Sequence, residues 1–201
     1  MIQEFGDEHR YDNHFEPHQA GEKDYLLHFT SAGCLARVTH VGGADADAGD
    51  SGEVVELPRV ADYPRRPSQV TYLFSLGDER FFLALDDRVS APAGFAYESV
   101  NWLRHAEPQH LLFAAATASQ LDRWYRDNRF CGRCGAPTEL APRSREIVCP
   151  ECAKVTYPKI CPGVICAVVR VADDPADDAI VLTRYAGRTT ALWALVAGFT
   201  E

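Results

Sequence analysis

The chain has 201 residues, 46% of them hydrophobic, and a net charge of -9. That length can bury one good core, or two small ones with a linking module. No run of about 18 apolar residues occurs, which argues against a membrane-spanning helix, and the acidic balance argues against a general nucleic-acid binder. The charge is unevenly spread. Residues 1–60 hold 12 acids and 4 bases, whereas Arg123 to Lys159 holds eight bases and four acids. Any polyanionic ligand is therefore expected near the middle of the chain.

In chain order, residues 1–23 are polar and carry His9, His14 and His18 at spacings that fit no helical face, so a solvated tail is expected. Tyr25 to Phe29 and Cys34 to Val41 have strand-like content. Gly42 to Gly52 (GGADADAGDSG) reads as a mobile acidic loop; its aspartates lack the bidentate Glu of a calcium loop. Gln69 to Leu76 and Arg80 to Leu85 read as two strands joined at Gly77-Asp78-Glu79. Gln109 to Asn128 reads as a helix, with Leu111, Ala115, Ala118, Leu121 and Tyr125 on one apolar stripe. Trp124 and Tyr125 are expected to pack. An α+β domain over residues 1–128 follows.

Next comes Cys131-Gly-Arg-Cys134, then Cys149-Pro-Glu-Cys152 after 14 intervening residues. Each Cys-x-x-Cys places two sulfurs on one tight turn, and two such turns give the four-thiolate tetrahedron of a structural zinc ribbon, residues 129–157. Two disulfides would need an oxidising compartment, yet Met1 to Arg10 has three acids and no apolar run of the signal-peptide kind. A redox Cys-x-x-Cys would be single and would sit at a strand-to-helix junction. The basic surplus lowers thiol pKa values and offsets the charge of a zinc tetrathiolate. Cys34, Cys161 and Cys166, in apolar sequence, are expected to be reduced core residues, and the location to be cytoplasmic.

Past Tyr157-Pro158, three strands are expected: Ile160 to Val171, Ala179 to Arg184 after the acidic loop Ala172 to Asp178, and Ala191 to Val196. Three strands without a covering helix cannot bury both faces of a sheet, so residues 158–201 read as an interrupted domain.

A helix ending WYRDNRFCGRCG, the four-cysteine ribbon, TYPKICPGVICAVV and LVAGFTE together resemble the NADH pyrophosphatase branch of the Nudix hydrolases. The resemblance implies an N-terminal Nudix-like domain, the ribbon, and the first strands of a catalytic Nudix α/β/α domain. Cys131, Cys134, Cys149 and Cys152 match the family's zinc ligands. Tyr157 and Phe199 match aromatics that hold the nicotinamide end of the substrate, and Ala197 a carbonyl that helps bind the catalytic divalent ion. Arg104 matches an arginine near the substrate phosphates, although the intervening length differs. Cys161 stands where relatives often carry Asp or Ala.

Gly198 matches the glycine that opens the Nudix box. The next required Glu falls three positions past Glu201, and the box arginine, its metal-binding glutamates and the Ser-Gln-Pro-Trp-Pro-Phe-Pro segment lie further on. The implied reaction is hydrolysis of the pyrophosphate of NAD(H) to nicotinamide mononucleotide and AMP with Mg²⁺ or Mn²⁺, and also removal of NAD caps from RNA, in a homodimer. The 201 residues alone are expected to be inactive. Two other readings are a non-catalytic zinc-ribbon module that binds nucleotide or nucleic acid, and a scaffold that only self-associates.

Overall fold

The computed structural model describes residues 5–41, 52–187 and 192–200. Its contacts divide the chain into two compact units, Met1–Pro158 and Lys159–Glu201. In the first unit the strands are β1 (Tyr11–Asp12), β2 (Tyr25–Leu27), β3 (Phe29–Thr30), β4 (Gly33–Val41), β5 (Gly52–Glu56), β6 (Val70–Leu76), β7 (Glu79–Ala84), β8 (Ala96–Glu98) and β9 (Ala106–Glu107). The helix α1 (Gln109–Asp127) follows them. One sheet has the order β1-β6-β7-β2 and another β3-β4-β5-β9, with β8 paired to β4. The first expected strand, Tyr25 to Phe29, is split between the two sheets.

His28 sits at that crossing and is wholly buried. Its Nε2 lies 2.8 Å from the Asp86 carbonyl oxygen and its Nδ1 2.6 Å from the Tyr97 hydroxyl. A carbonyl can only accept, so the neutral ring donates from Nε2 and accepts at Nδ1 from Tyr97. Burial lowers the His28 pKa and favours that neutral form.

The β6–β7 hairpin is the centre of this unit because it is buried on both faces, which accounts for its almost unbroken apolar sequence. On one side Leu73, Phe74, Phe81 and Leu83 join the cluster under α1; on the other Tyr72, Phe82 and Ala84 pack with Leu26, Leu35 and Tyr63. A register shift between Tyr72 and Phe74 puts the consecutive Leu73 and Phe74 into the same cluster. Gly77, in the turn, has φ +57, and a Cβ there would lie 2.0 Å from the Glu8 carbonyl oxygen. Only glycine allows the N-terminal segment to run so close.

The α1 stripe is buried as its spacing predicts: Leu111, Ala115, Ala118, Leu121 and Tyr125 all face the cluster, and Trp124 is buried beside them. The Asn128 side-chain amide donates to the Trp124 carbonyl at 2.7 Å, satisfying one of the last orphan acceptors. Asp122, on the same helix, is buried and takes both of its oxygens to Arg126 Nε at 2.9 Å. No apolar-stripe argument could have found that pair.

The ribbon is in the same unit. Its three short strands, β10 (Glu139–Leu140), β11 (Ile147–Val148) and β12 (Val155–Thr156), form an antiparallel sheet. Ile147 belongs to the core cluster under α1, and the Arg145 guanidinium donates to the Leu73 carbonyl oxygen. One face of the ribbon is thus part of the core.

In the second unit, β13 (Gly163–Cys166) pairs antiparallel with β16 (Val196–Phe199), and β14 (Val169–Arg170) with β15 (Ala179–Ile180). Asp174 caps a 3-10 turn at Pro175–Asp177 by accepting from Ala176 N at 2.9 Å. Among its described residues no side chain is buried.

Several expectations are corrected. The N-terminal residues are not a solvated tail: β1 adds an edge strand to β6, Phe5 packs on Phe113, and His18 packs edge-on against Tyr72. The apolar payload of Phe5 and Tyr11 outweighs the polar composition around them. Cys34 is buried and reduced, but Cys161 and Cys166 are exposed. The strand expected over Ile160 to Val171 breaks into β13 and β14. Of the strand expected over Ala191 to Val196, Ala191 lies outside the described residues and Ala194 makes an isolated antiparallel bridge to Thr183; the continuous strand is Val196–Phe199, whose backbone meets β13 in register. The acidic stretch 42–51 lies outside the described residues. No described helix is long and apolar enough to cross a membrane.

Candidate functional site

The four ribbon cysteines come together on two turns. Cys131 Sγ lies 3.6 Å from Cys152 Sγ, and Cys134 Sγ lies 3.4 Å from Cys149 Sγ. All four sulfurs are within 4.8 Å of one another. A disulfide needs about 2.05 Å, whereas thiolates about 2.3 Å from one zinc ion are spaced by about 3.8 Å, so the set fits a tetrahedral ion and not two disulfides. No cysteine is paired covalently.

Each turn is built alike. Gly135 N donates to the Cys131 carbonyl at 2.8 Å and Ala153 N to the Cys149 carbonyl at 2.9 Å. Cys131 N in turn donates to Ala136 O, and Cys149 N to Lys154 O. The residue after the second cysteine is left-handed in both turns, φ 78 at Gly135 and φ 55 at Ala153. The N–H groups of Cys134 and Arg133 aim at the Cys131 sulfur and lower its pKa to about 6, which favours the thiolate form that a metal ion binds. At Cys134 the Ala136 N–H acts in the same direction, but the neighbouring sulfurs and burial push that thiol up to about 12. Zinc binding must therefore release protons.

The left-handed pair makes a paired test. An L-residue in this region costs about 1 kcal/mol and nothing lies within 4 Å of a Cβ on Gly135. Gly135→Ala is expected to lower ribbon stability by about 1 kcal/mol, and Ala153→Gly to raise it by up to about the same amount. Urea unfolding at fixed free zinc measures both.

A family model described as the NADH pyrophosphatase zinc ribbon domain matches residues 126–157. The chain is 30% identical over 126 residues to the NAD-capped RNA hydrolase NudC of Pseudomonas fluorescens Pf-5, covering 62% of this chain and 43% of that protein. It is 29% identical over 126 residues to the NudC of Pseudomonas aeruginosa LESB58, covering 62% and 42% respectively. It is 37% identical over 84 residues to the NudC of Pasteurella multocida, covering 41% and 30%. The class is thus a zinc-ribbon protein with a structural zinc site. In its ribbon the chain is similar to the NADH pyrophosphatase branch of the Nudix hydrolases, and it spans less than half the length of the relatives it matches.

The other residues named from the resemblance are placed as follows. Tyr157 is 64% exposed in the first unit, and Phe199 is 78% exposed in the second. Ala197 lies in β16 opposite Ile165 of β13. Arg104 is exposed at the end of the 3-10 turn Val100–Arg104 and lines a small cleft with Leu103, Glu107 and Leu112. The structure assembles the zinc ligands; Tyr157 and Arg104 fall in the first unit, Ala197 and Phe199 in the second.

The basic surplus around the ribbon is partly used internally. Arg129 Nη1 donates to Asp87 Oδ1 at 2.8 Å, Arg126 holds Asp122, and Arg145 is bound to Leu73. Arg126 and Arg129, with Arg88, Asp86, Tyr125 and Phe130, line a cleft of about 520 Å³ beside the ribbon. Composition alone signalled the arginines, but Asp87, the partner of Arg129, comes from the β7–β8 connection, 42 residues earlier.

Proposed function

We propose that the chain carries the N-terminal Nudix-like domain (1–128), zinc ribbon (129–157) and first catalytic strands (158–201) of an enzyme that hydrolyses the pyrophosphate of NAD(H) to nicotinamide mononucleotide and AMP. NAD-capped RNA is a second substrate. The observation that carries this reading is the four-sulfur cluster inside the segment that matches the NADH pyrophosphatase ribbon. The NudC relatives, named as NAD-capped RNA hydrolases, support the substrate class. The enzyme acts as a cytoplasmic homodimer.

By resemblance, Tyr157 and Phe199 match aromatics that hold the nicotinamide end of the substrate, and Arg104 an arginine near its phosphates. Both aromatic rings are exposed and so available to a ligand. The zinc is structural, with four thiolates and no position left for water. Mg²⁺ or Mn²⁺ supplies charge neutralisation and an activated water. Ala197 offers such an ion one carbonyl oxygen, whereas hard cations take about six oxygen ligands, so these residues by themselves do not hold it.

The test is direct. The 201-residue polypeptide, loaded with zinc, is expected to leave NADH intact with Mg²⁺ or Mn²⁺; turnover above a contaminant control would show that the chemistry does not need the glutamates of the box. Reading the gene past codon 201 is expected to give Glu at position 204 and then the rest of the box. An unrelated continuation, with salt-dependent RNA binding and no hydrolysis, would establish instead a nucleotide-binding ribbon module.

A further inference from the structure

Away from the ribbon, three titratable side chains meet where distant parts of the first unit converge. His9 closes the 3-10 turn Asp7–His9, Glu79 opens β7, and His110 lies in the first turn of α1. The two imidazole rings stack face to face, with centroids 3.8 Å apart and planes 8° apart, and both are partly open to water. The stack belongs to a short strap. Phe5 packs on Phe113, Tyr11 packs edge-on against Phe74 and Phe113, and the Gly77 N–H donates to the Arg10 carbonyl at 2.9 Å. The strand β1 pairs with β6 over two residues only, so residues 5–12 can open without the rest of the domain.

With both rings neutral the stack is an ordinary aromatic contact; with both charged it sets two cations against each other in a partly dry place. The surrounding charges do not offset the second cation. Glu79 Oε2 lies 3.4 Å from His110 Nε2 and 3.9 Å from His9 Nδ1, yet it is buried without a hydrogen-bond partner. Its other oxygen, Oε1, accepts from Tyr25 Oη at 3.1 Å and from Arg59 Nη2 at 3.3 Å, so the Glu79 charge is already matched by a guanidinium. Glu8 Oε1 lies 4.0 Å from His9 Nε2, but that side chain is exposed and water screens it. Burial first, and then the facing His9 ring, lower the His110 pKa against the pull of Glu79 and Glu8. Once detached, the imidazole charges near its ordinary value of about 6.5. The detached state therefore takes up the proton first as pH falls, and the hold of the stack, complete above about 6.5, is lost below it.

We propose that the His9–His110 stack is a proton-operated latch, which holds residues 5–12 on β6 and α1 while both rings are neutral and frees them when both are charged. Release bares the backbone of Ser75 and Leu76 and the ring of Phe113. The latch is independent of the ribbon and of the enzymatic reading.

The test follows amide exchange of residues 5–12 in the zinc-loaded chain between pH 7.5 and 5.5 (about one unit either side of the free imidazole value), corrected for the intrinsic rate at each pH. One extra proton on the detached segment makes opening rise by up to about tenfold per pH unit below about 6.5, while β7 and α1 stay closed. His9→Phe and His110→Phe keep a stacked ring without a titrating nitrogen, and each is expected to flatten that dependence; His14→Gln is expected to leave it unchanged. Opening that ignores pH in the unaltered chain, a dependence that survives in both phenylalanine variants, or protection lost only together with that of β7 would overturn the latch. Retained ribbon zinc and far-UV dichroism verify the fold of each variant. Should His110→Phe fail that check, the more exposed His9 carries the decision through His9→Phe.

Discussion

Cys149→Ser is expected to abolish ribbon zinc and unfold residues 129–157. Cys149 is 2% exposed and follows Ile147 and Val148 of β11, so its sulfur is held by the ribbon's central strand. Serine at neutral pH presents a protonated hydroxyl in place of a soft thiolate, and the remaining three sulfurs leave one coordination position to water. Structural zinc contributes on the order of 10 kcal/mol to the folding of a small ribbon, more than any single side chain in this chain, and three strands of two residues each cannot replace it. Zinc release on adding a thiol reagent, and amide exchange across 129–157, measure the loss. Because Ile147 sits in the core under α1, partial loosening of that helix's last turns is expected as well. Full retention of one ribbon zinc in this variant would disprove four-thiolate coordination.

Phe81→Ala is expected to cost about 3–5 kcal/mol, against the 5–15 kcal/mol by which domains of this size are usually stable. Phe81 is fully buried at the middle of the unit. Its ring stacks on Tyr25, centroids 4.7 Å apart at 8°, and on Phe74 at 5.2 Å and 25°. Truncation removes both stacks and leaves a cavity between two strands whose backbones are held by the β6–β7 and β2–β7 ladders, so the site cannot collapse to fill it. Tyr25 also holds Glu79, so the variant should disturb the His9–Glu79–His110 cluster together with the core. Phe130→Ala, at a ring that is 62% exposed, serves as the comparison and is expected to shift stability by no more than about 0.5 kcal/mol. Urea midpoints of the two variants decide the point.

The amino-acid sequence by itself determined the features governed by local periodicity and spacing. The zinc cluster was legible because two Cys-x-x-Cys pairs carry their geometry within each turn, and the structure brings those four sulfurs together. The α1 stripe was legible because burial at three- and four-residue steps is a property of the helix alone. The β6–β7 hairpin was legible from two apolar runs around Gly77, although its bulge was not.

Only the tertiary structure decided what depends on partners far along the chain. His9 reads as part of a polar tail until Glu79 and His110, about 70 and 100 residues away, are brought against it. Asp122 reads as a surface acid until Arg126 and the Phe29 carbonyl bury it as a pair. The basic stretch around the ribbon reads as an open cationic face until Asp87 and Leu73 take up some of its arginines. Spacing along a chain encodes which neighbours share a turn or a face. Charge and burial are settled by contacts that exist only after strands from separate parts of the sequence have paired.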